Sequence, residues 1–152
     1  SRGLGAENEG QVKARTEAGI PVVGHLAFTP QSVNLRGGCG VQGRGEAGAQ
    51  LLADAQALQE AGAVALVLEM VPEPLAAEVT QTLSIPTIGI GAGAQVDGQV
   101  LVWTDMAGMT QWTPRFAARF GEVGAQLEKA AASYGQAVRS GAFPDADHWF
   151  AK

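Results

Sequence analysis

Glu69 is a lone carboxylate that ends the apolar run Ala63-Val64-Ala65-Leu66-Val67-Leu68 and is followed at once by Met70, Val71 and Pro72. A buried strand of this composition normally exits into turn residues, so an ionisable group there is either solvated at the rim or held in a pocket for chemistry. In an apolar rim, desolvation disfavours the carboxylate and raises its proton affinity, which makes a glutamate a useful base near neutral pH. His25 follows a second apolar run, Ile20-Pro21-Val22-Val23-Gly24. It reads either as a structural imidazole bonded to a backbone carbonyl or as a ligand contact. Gly91-Ala92-Gly93 is by itself a weak signal, since glycine pairs are common turn residues. Asp97 and Asp105 are too far apart to make a metal site by themselves, and a turn and a helix start account for them. Arg44, in a glycine-rich loop, faces a choice between an anion and solvent. Cys39 would be reactive only beside positive charge.

These side chains need elements to hold them, and the chain supplies an alternation of helical and extended segments. Glu7 to Ala18 reads as a helix closed by Gly19, and the strand from Ile20 runs into His25. Thr29-Pro30-Gln31-Ser32 reads as a cap and one helical turn, and Gly37 to Gly48 as a glycine-rich loop. Ala47 to Ala61 places Leu51, Leu52, Ala55, Leu58 and Ala61 on one helical face, with Gly62 as its cap. The Glu69 strand follows, then a helix with Pro74 near its start and Leu75, Val79 and Leu83 on one face. Thr87-Ile88-Gly89-Ile90 is the third expected strand and Val100-Leu101-Val102-Trp103 the fourth. A long helix is expected from Thr113-Pro114 to about Arg139, before a tail with His148 and Trp149. Repeated strand-helix units predict a parallel α/β sheet. His25, Glu69, Gly91 to Gly93 and Thr104-Asp105 are then all expected at the carboxyl ends of strands, where such sheets build active sites.

Composition narrows the function classes. With 152 residues, 46% hydrophobic and 16% charged, the chain has apolar material for a core in a single domain spanning 1–152. A net charge of -5 with ten Lys and Arg argues against a nucleic-acid surface. One cysteine permits no internal disulfide, and no Cys/His spacing suits zinc, so a reducing compartment is expected. No segment is long and apolar enough to span a bilayer as a helix, and the first residues lack a basic-then-apolar leader. The chain reads as cytoplasmic and soluble, with a small molecule or protein as partner. A closed eight-stranded barrel usually needs about 250 residues, so this chain suits either the carboxyl-terminal half of one or a smaller open sheet.

Several motifs carry a resemblance: Gly24-His25-Leu26, Thr29-Pro30-Gln31-Ser32-Val33-Asn34, Val41-Gln42-Gly43-Arg44, Leu66-Val67-Leu68-Glu69, Val71-Pro72, Ile85 to Gly93 and Asp97 to Val102. In this order, from about Gly19 onward, the chain resembles the ketopantoate (3-methyl-2-oxobutanoate) hydroxymethyltransferase family. The resemblance implies the carboxyl-terminal half of a (β/α)8 TIM barrel, with parallel strands and a long C-terminal helix, in a homo-oligomer. It implies hydroxymethyl transfer from 5,10-methylenetetrahydrofolate to the 2-oxoacid 3-methyl-2-oxobutanoate in pantothenate biosynthesis. Glu69 would be the proton acceptor, His25 a substrate-binding residue, and the Gly89 to Gly93 segment a ligand loop. Magnesium is implied as well, to polarise the ketone. Its carboxylate ligands lie on earlier strands of the family. The last of these belongs to a Lys-x-Glu motif, and an ungapped count puts Ser1 and Gly3 at its positions, so no metal ligand is expected in this chain.

Three further positions depart from the family's pattern: Cys39-Gly40 stands where a Tyr-Lys pair is common, and Thr104 where a histidine is usual. The alternative function is therefore an inactive homologue or fragment that keeps the fold as a binding or oligomerisation module.

Overall fold

The computed structural model describes residues 6–27 and 46–150. They divide into two compact units, one up to Val100 and one from Leu101 on. The first unit contains α1 (Ala6–Glu17), β1 (Val23–Ala27), α2 (Glu46–Glu60), β2 (Ala65–Glu69), α3 (Glu73–Thr82), β3 (Thr87–Ile90) and the two-residue β4 (Gly98–Gln99). The second contains the single turn α4 (Trp103–Met106) and the long α5 (Val123–Ser140).

Among the described residues four strands form one sheet in the order β1-β2-β3-β4, and each pair is parallel. Chain order equals spatial order, which is how a barrel winds; a doubly wound sheet reverses at a switch point. The α/β class and the half-barrel winding expected above are what the chain adopts, with a long helix toward its carboxyl end.

Register assigns the two faces. Gly24, Leu66 and Thr87 lie in one row and Leu26, Leu68 and Gly89 in the next, and all six are buried. Because side chains alternate along a strand, these rows share a face. Helices cover it: a Cβ on Gly24 would stand 3.0 Å from Cδ1 of Leu58 on α2, and Thr80 of α3 lies 2.8 Å, hydroxyl to hydroxyl, from Thr87. The core joins Ala55 and Leu58 of α2 to Leu75, Ala76 and Val79 of α3 across Leu66 and Leu68. The other face carries Val23, His25, Val67, Glu69, Ile88 and Ile90, none of them fully buried.

Helix ends largely obey the sequence. Chain reversal after α1 and α2 uses Gly19 and Gly62 at positive φ, and Pro74 sits in the first turn of α3. Thr16 donates its hydroxyl proton to the carbonyl of Ala61 at 3.0 Å, joining the ends of α1 and α2. Gln59 Oε1 accepts from the Ser84 and Ile85 amides at 2.7 and 3.2 Å, tying α2 to the segment entering β3.

Two expected elements are corrected. Val100 to Trp103 is not a strand: β3 ends at Ile90, so only Gly98 and Gln99 find partners, and the last rung is Val100 N–H to Gly89 O at 3.0 Å. Asp105 and Met106 then donate to the Val102 carbonyl and the chain turns into α4. Thr113-Pro114 does not open the last helix either. The Thr113 hydroxyl accepts from Arg119 Nε at 3.0 Å, and Phe120 and Val123 amides bond to Met106 and Ala107 carbonyls, so the segment is held as a loop until Val123. Gly108 makes that closure possible: its φ is +70°, and a Cβ there would stand 2.1 Å from the Gly121 carbonyl oxygen.

Among the described residues Thr87 is the buried polar residue of the first unit, with no exposed surface. Its hydroxyl meets Asp97 Oδ2 at 3.1 Å and Thr80 Oγ1 at 2.8 Å, while its amide donates to Asp97 Oδ2 at 2.8 Å. Thr87→Val keeps the shape but removes the hydroxyl's bond to the Asp97 carboxylate and its contact with Thr80, whose own hydroxyl still donates to the Ala76 carbonyl at 2.8 Å, so a loss of about 1–3 kcal/mol is expected. A urea midpoint that does not fall, at unchanged slope, would refute this.

In the second unit, α5 ends at Gly141 with φ +73°, and Ala142 and Phe143 amides return to the Ala137 carbonyl. The Tyr134 and Phe143 rings then meet edge to face, with centroids 5.6 Å apart, and the Phe143 and His148 rings meet tilted at 5.5 Å. His148 and the Asp147 amide hold the Asp145 carboxyl below the ordinary aspartate range. A depressed carboxyl contributes above its unfolded pKa and its contribution fades as pH falls through the folded one. The His148–Phe143 ring contacts, followed by NMR, should therefore persist through mildly acidic pH and weaken only below the ordinary aspartate range. Loss of the contacts at the ordinary value would contradict it.

Candidate active site

His25 and Glu69 both sit on the sheet face opposite the helices. Glu69 is the last residue of β2, at its carboxyl end as expected. His25 is the third of the five residues of β1, two before the strand's end, which corrects the expectation of a terminal position. Register pairs His25 with Val67 and Ala27 with Glu69, so the two ionisable side chains are diagonal neighbours on one face. His25 Nε2 lies 3.0 Å from Glu69 Oε2. An ionised carboxylate only accepts, so Nε2 carries the proton of this contact and donates it. With side-chain exposures of 53% for His25 and 31% for Glu69, the pair is neither sealed nor fully solvated.

Strain lies next to the carboxylate. Met70 has φ +54°, a left-handed conformation costing a side-chain-bearing residue about 1–2 kcal/mol. Its amide donates to the Ile90 carbonyl at 2.9 Å, so the strand is pinned just where Glu69 leaves it.

The glycine turn is held at the same end of the sheet. Ile90 is the register partner of Glu69, and Gly91 follows it directly. Gly93 has φ +82°, and a Cβ there would lie 2.5 Å from Cβ and Cγ of Glu73, the first residue of α3. Glu73 Oε1 accepts the Ala94 amide at 3.2 Å, and Gln99 Nε2 donates to the Gly93 carbonyl at 2.8 Å. Glu73 and Gln99 were not singled out from sequence. Only their contacts reveal them, since a Glu at a helix start has an ordinary dipole explanation.

Other candidates separate. Asp97 serves the Thr87 tie described above, the turn reading. Asp105 lies in α4, not at a strand end, and accepts the Thr110 hydroxyl at 3.1 Å. Thr29 to Asn34, Cys39, Gly40 and Arg44 lie outside the described residues. Among the described residues no group of three or more His, Cys, Asp or Glu side chains comes together to hold a metal ion.

A family model for ketopantoate hydroxymethyltransferase matches residues 4–146. The chain belongs to the ketopantoate hydroxymethyltransferase family. Among curated members, the 3-methyl-2-oxobutanoate hydroxymethyltransferase of Rhodococcus jostii (strain RHA1) is 58% identical over 141 residues, 92% of this chain and 49% of that protein. The enzyme of that name from Mycobacterium ulcerans (strain Agy99) is 55% identical over 141 residues, 92% and 48% of the two chains. That of Mycolicibacterium vanbaalenii is 57% identical over 139 residues, 91% and 50%. The chain thus spans about half the length of the curated ketopantoate hydroxymethyltransferases it matches.

Proposed function

We propose that this chain supplies the proton-abstracting part of a ketopantoate hydroxymethyltransferase, which transfers a hydroxymethyl group from 5,10-methylenetetrahydrofolate to 3-methyl-2-oxobutanoate and yields 2-dehydropantoate. The observation that carries this reading is Glu69 at the carboxyl end of a parallel strand, on the sheet face opposite α2 and α3, partly exposed and bonded to His25. Glu69 takes the C3 proton of the oxoacid. The C–H electron pair becomes the C2–C3 double bond of an enolate, whose charge rests on the C2 oxygen, and C3 becomes the nucleophile toward the one-carbon donor. His25 stands beside Glu69 on the same sheet face. No step is assigned to magnesium; by resemblance, its ligands belong to earlier strands of the family's barrel. The reaction belongs in the cytoplasm, and no described helix is long and apolar enough to cross a membrane.

The test is complementation. This chain is combined with the amino-terminal half of the Rhodococcus jostii enzyme and magnesium, and loss of the C3 proton of 3-methyl-2-oxobutanoate is followed by NMR in deuterium oxide. Exchange supports the reading. A folded, assembled complex without exchange favours the alternative, a binding or oligomerisation module, for which the substitutions at Cys39, Gly40 and Thr104 speak.

Self-association is part of the proposal. Val23 is exposed, among the described residues β1 has only β2 as a strand neighbour, and α5 exposes Val123, Leu127, Tyr134 and Val138 along one stripe. The chain alone should be oligomeric or poorly soluble. A stable, cooperatively melting monomer by light scattering would sink this.

A further inference from the structure

We propose that His25 acts on the reaction through Glu69, as its positioning residue, and that Glu69 Oε1 is the oxygen that receives the C3 proton. This rests on Glu69 being the base. The geometry divides the labour between atoms. Oε2 is engaged by His25 Nε2 at 3.0 Å, and among the described residues Oε1 has no hydrogen-bond partner. A carboxylate on three side-chain torsions otherwise samples many orientations, and misplacing a base by about 1 Å can cost about 10²-fold in rate. One donor on Oε2 restricts that freedom and leaves Oε1 as the oxygen open to a proton.

The sheet makes the donor itself rigid. His25 sits in the middle of β1, with residues on both sides paired to β2, and the two strands are locked from Val23↔Ala65 to Ala27↔Glu69. Gly24 and Leu26, which flank it, are buried under the helices. The imidazole thus stands on a fixed strand, whereas Glu69 stands at a strand's exit, beside the strained Met70. Support runs from the rigid position to the freer one. A histidine whose Nε2 is committed in this way does not use that nitrogen to hold the oxoacid.

Steady-state C3 exchange in the complemented enzyme separates the two roles, with His25→Ala and His25→Gln as variants. Gln places an amide N–H close to the position of Nε2 and keeps the donor. His25→Ala is expected to lower the maximal exchange rate about 10²-fold with KM for 3-methyl-2-oxobutanoate nearly unchanged, and His25→Gln to recover most of it. A raised KM with the maximal rate preserved, or no recovery by Gln in a folded protein, overturns the proposal. Independently of turnover, the Glu69 Cδ resonance of the labelled chain should move in His25→Ala and return toward its original position in His25→Gln. An unmoved resonance shows that the pair does not form and also overturns it. If the resonance moves but the parent enzyme shows no exchange, Glu69 is not the base; the pair is then a structural tie and the proposal falls with that reading.

Discussion

Glu69→Gln is expected to reduce C3 exchange of 3-methyl-2-oxobutanoate about 10²- to 10⁴-fold in the complemented enzyme, while leaving the thermal midpoint within a few degrees of the parent's. The rate expectation is the range that a positioned general base contributes. The stability expectation follows from geometry. Glu69 ends its strand, keeps about a third of its side-chain exposure and has His25 as its hydrogen-bond partner, which the amide oxygen of Gln can still accept. Gln is nearly isosteric, so the Ala27↔Glu69 and Glu69↔Ile90 register positions keep their backbone pairing. Unchanged exchange in a folded complex would move the base to another residue. A collapse in stability matching the loss of exchange would mean that Glu69 holds the strand end together and does no chemistry.

Leu68→Ala should destabilise the first unit by about 2–5 kcal/mol, the range for truncating a fully buried leucine. Leu68 has no exposed surface and lies in the buried row with Leu26 and Gly89, between the covering helices and the strand that carries the base. Gly89 on one side has no side chain to refill the space. Its buried neighbour Leu66 belongs to the same core cluster and can relax only partially. Against a total stability of roughly 5–15 kcal/mol for a domain, this is a large fraction. Chemical denaturation of the two proteins side by side measures it, and a change below about 1 kcal/mol would show that the space collapses or that Leu68 is less confined than its burial indicates.

Much of this was legible before any fold. Thr87 to Ile90 was read as a strand with its observed bounds, and the two helices ending at Gly19 and Gly62 were placed to within one residue, because β-branched runs and glycine stops act locally. The Val100 to Trp103 run misled for a complementary reason. Its composition suits a strand, but strands need neighbours, and β3 turns away after Ile90. Thr113-Pro114 has the chemistry of a helix start, yet Arg119 and the carbonyls near α4 offered its segment other bonds.

The sequence by itself determined the parallel α/β alternation, the family motifs and the placing of one carboxylate at a strand's exit, all of which depend on residues close together in the chain. The tertiary structure alone decided that His25, 44 positions earlier, reaches that carboxylate. It also decided that Asp97 serves Thr87 and that Glu73 steadies the glycine turn. These outcomes depend on strand register, which sets both face and neighbour. A one-residue slip between β1 and β2 would leave every local propensity intact and send His25 and Glu69 to different partners.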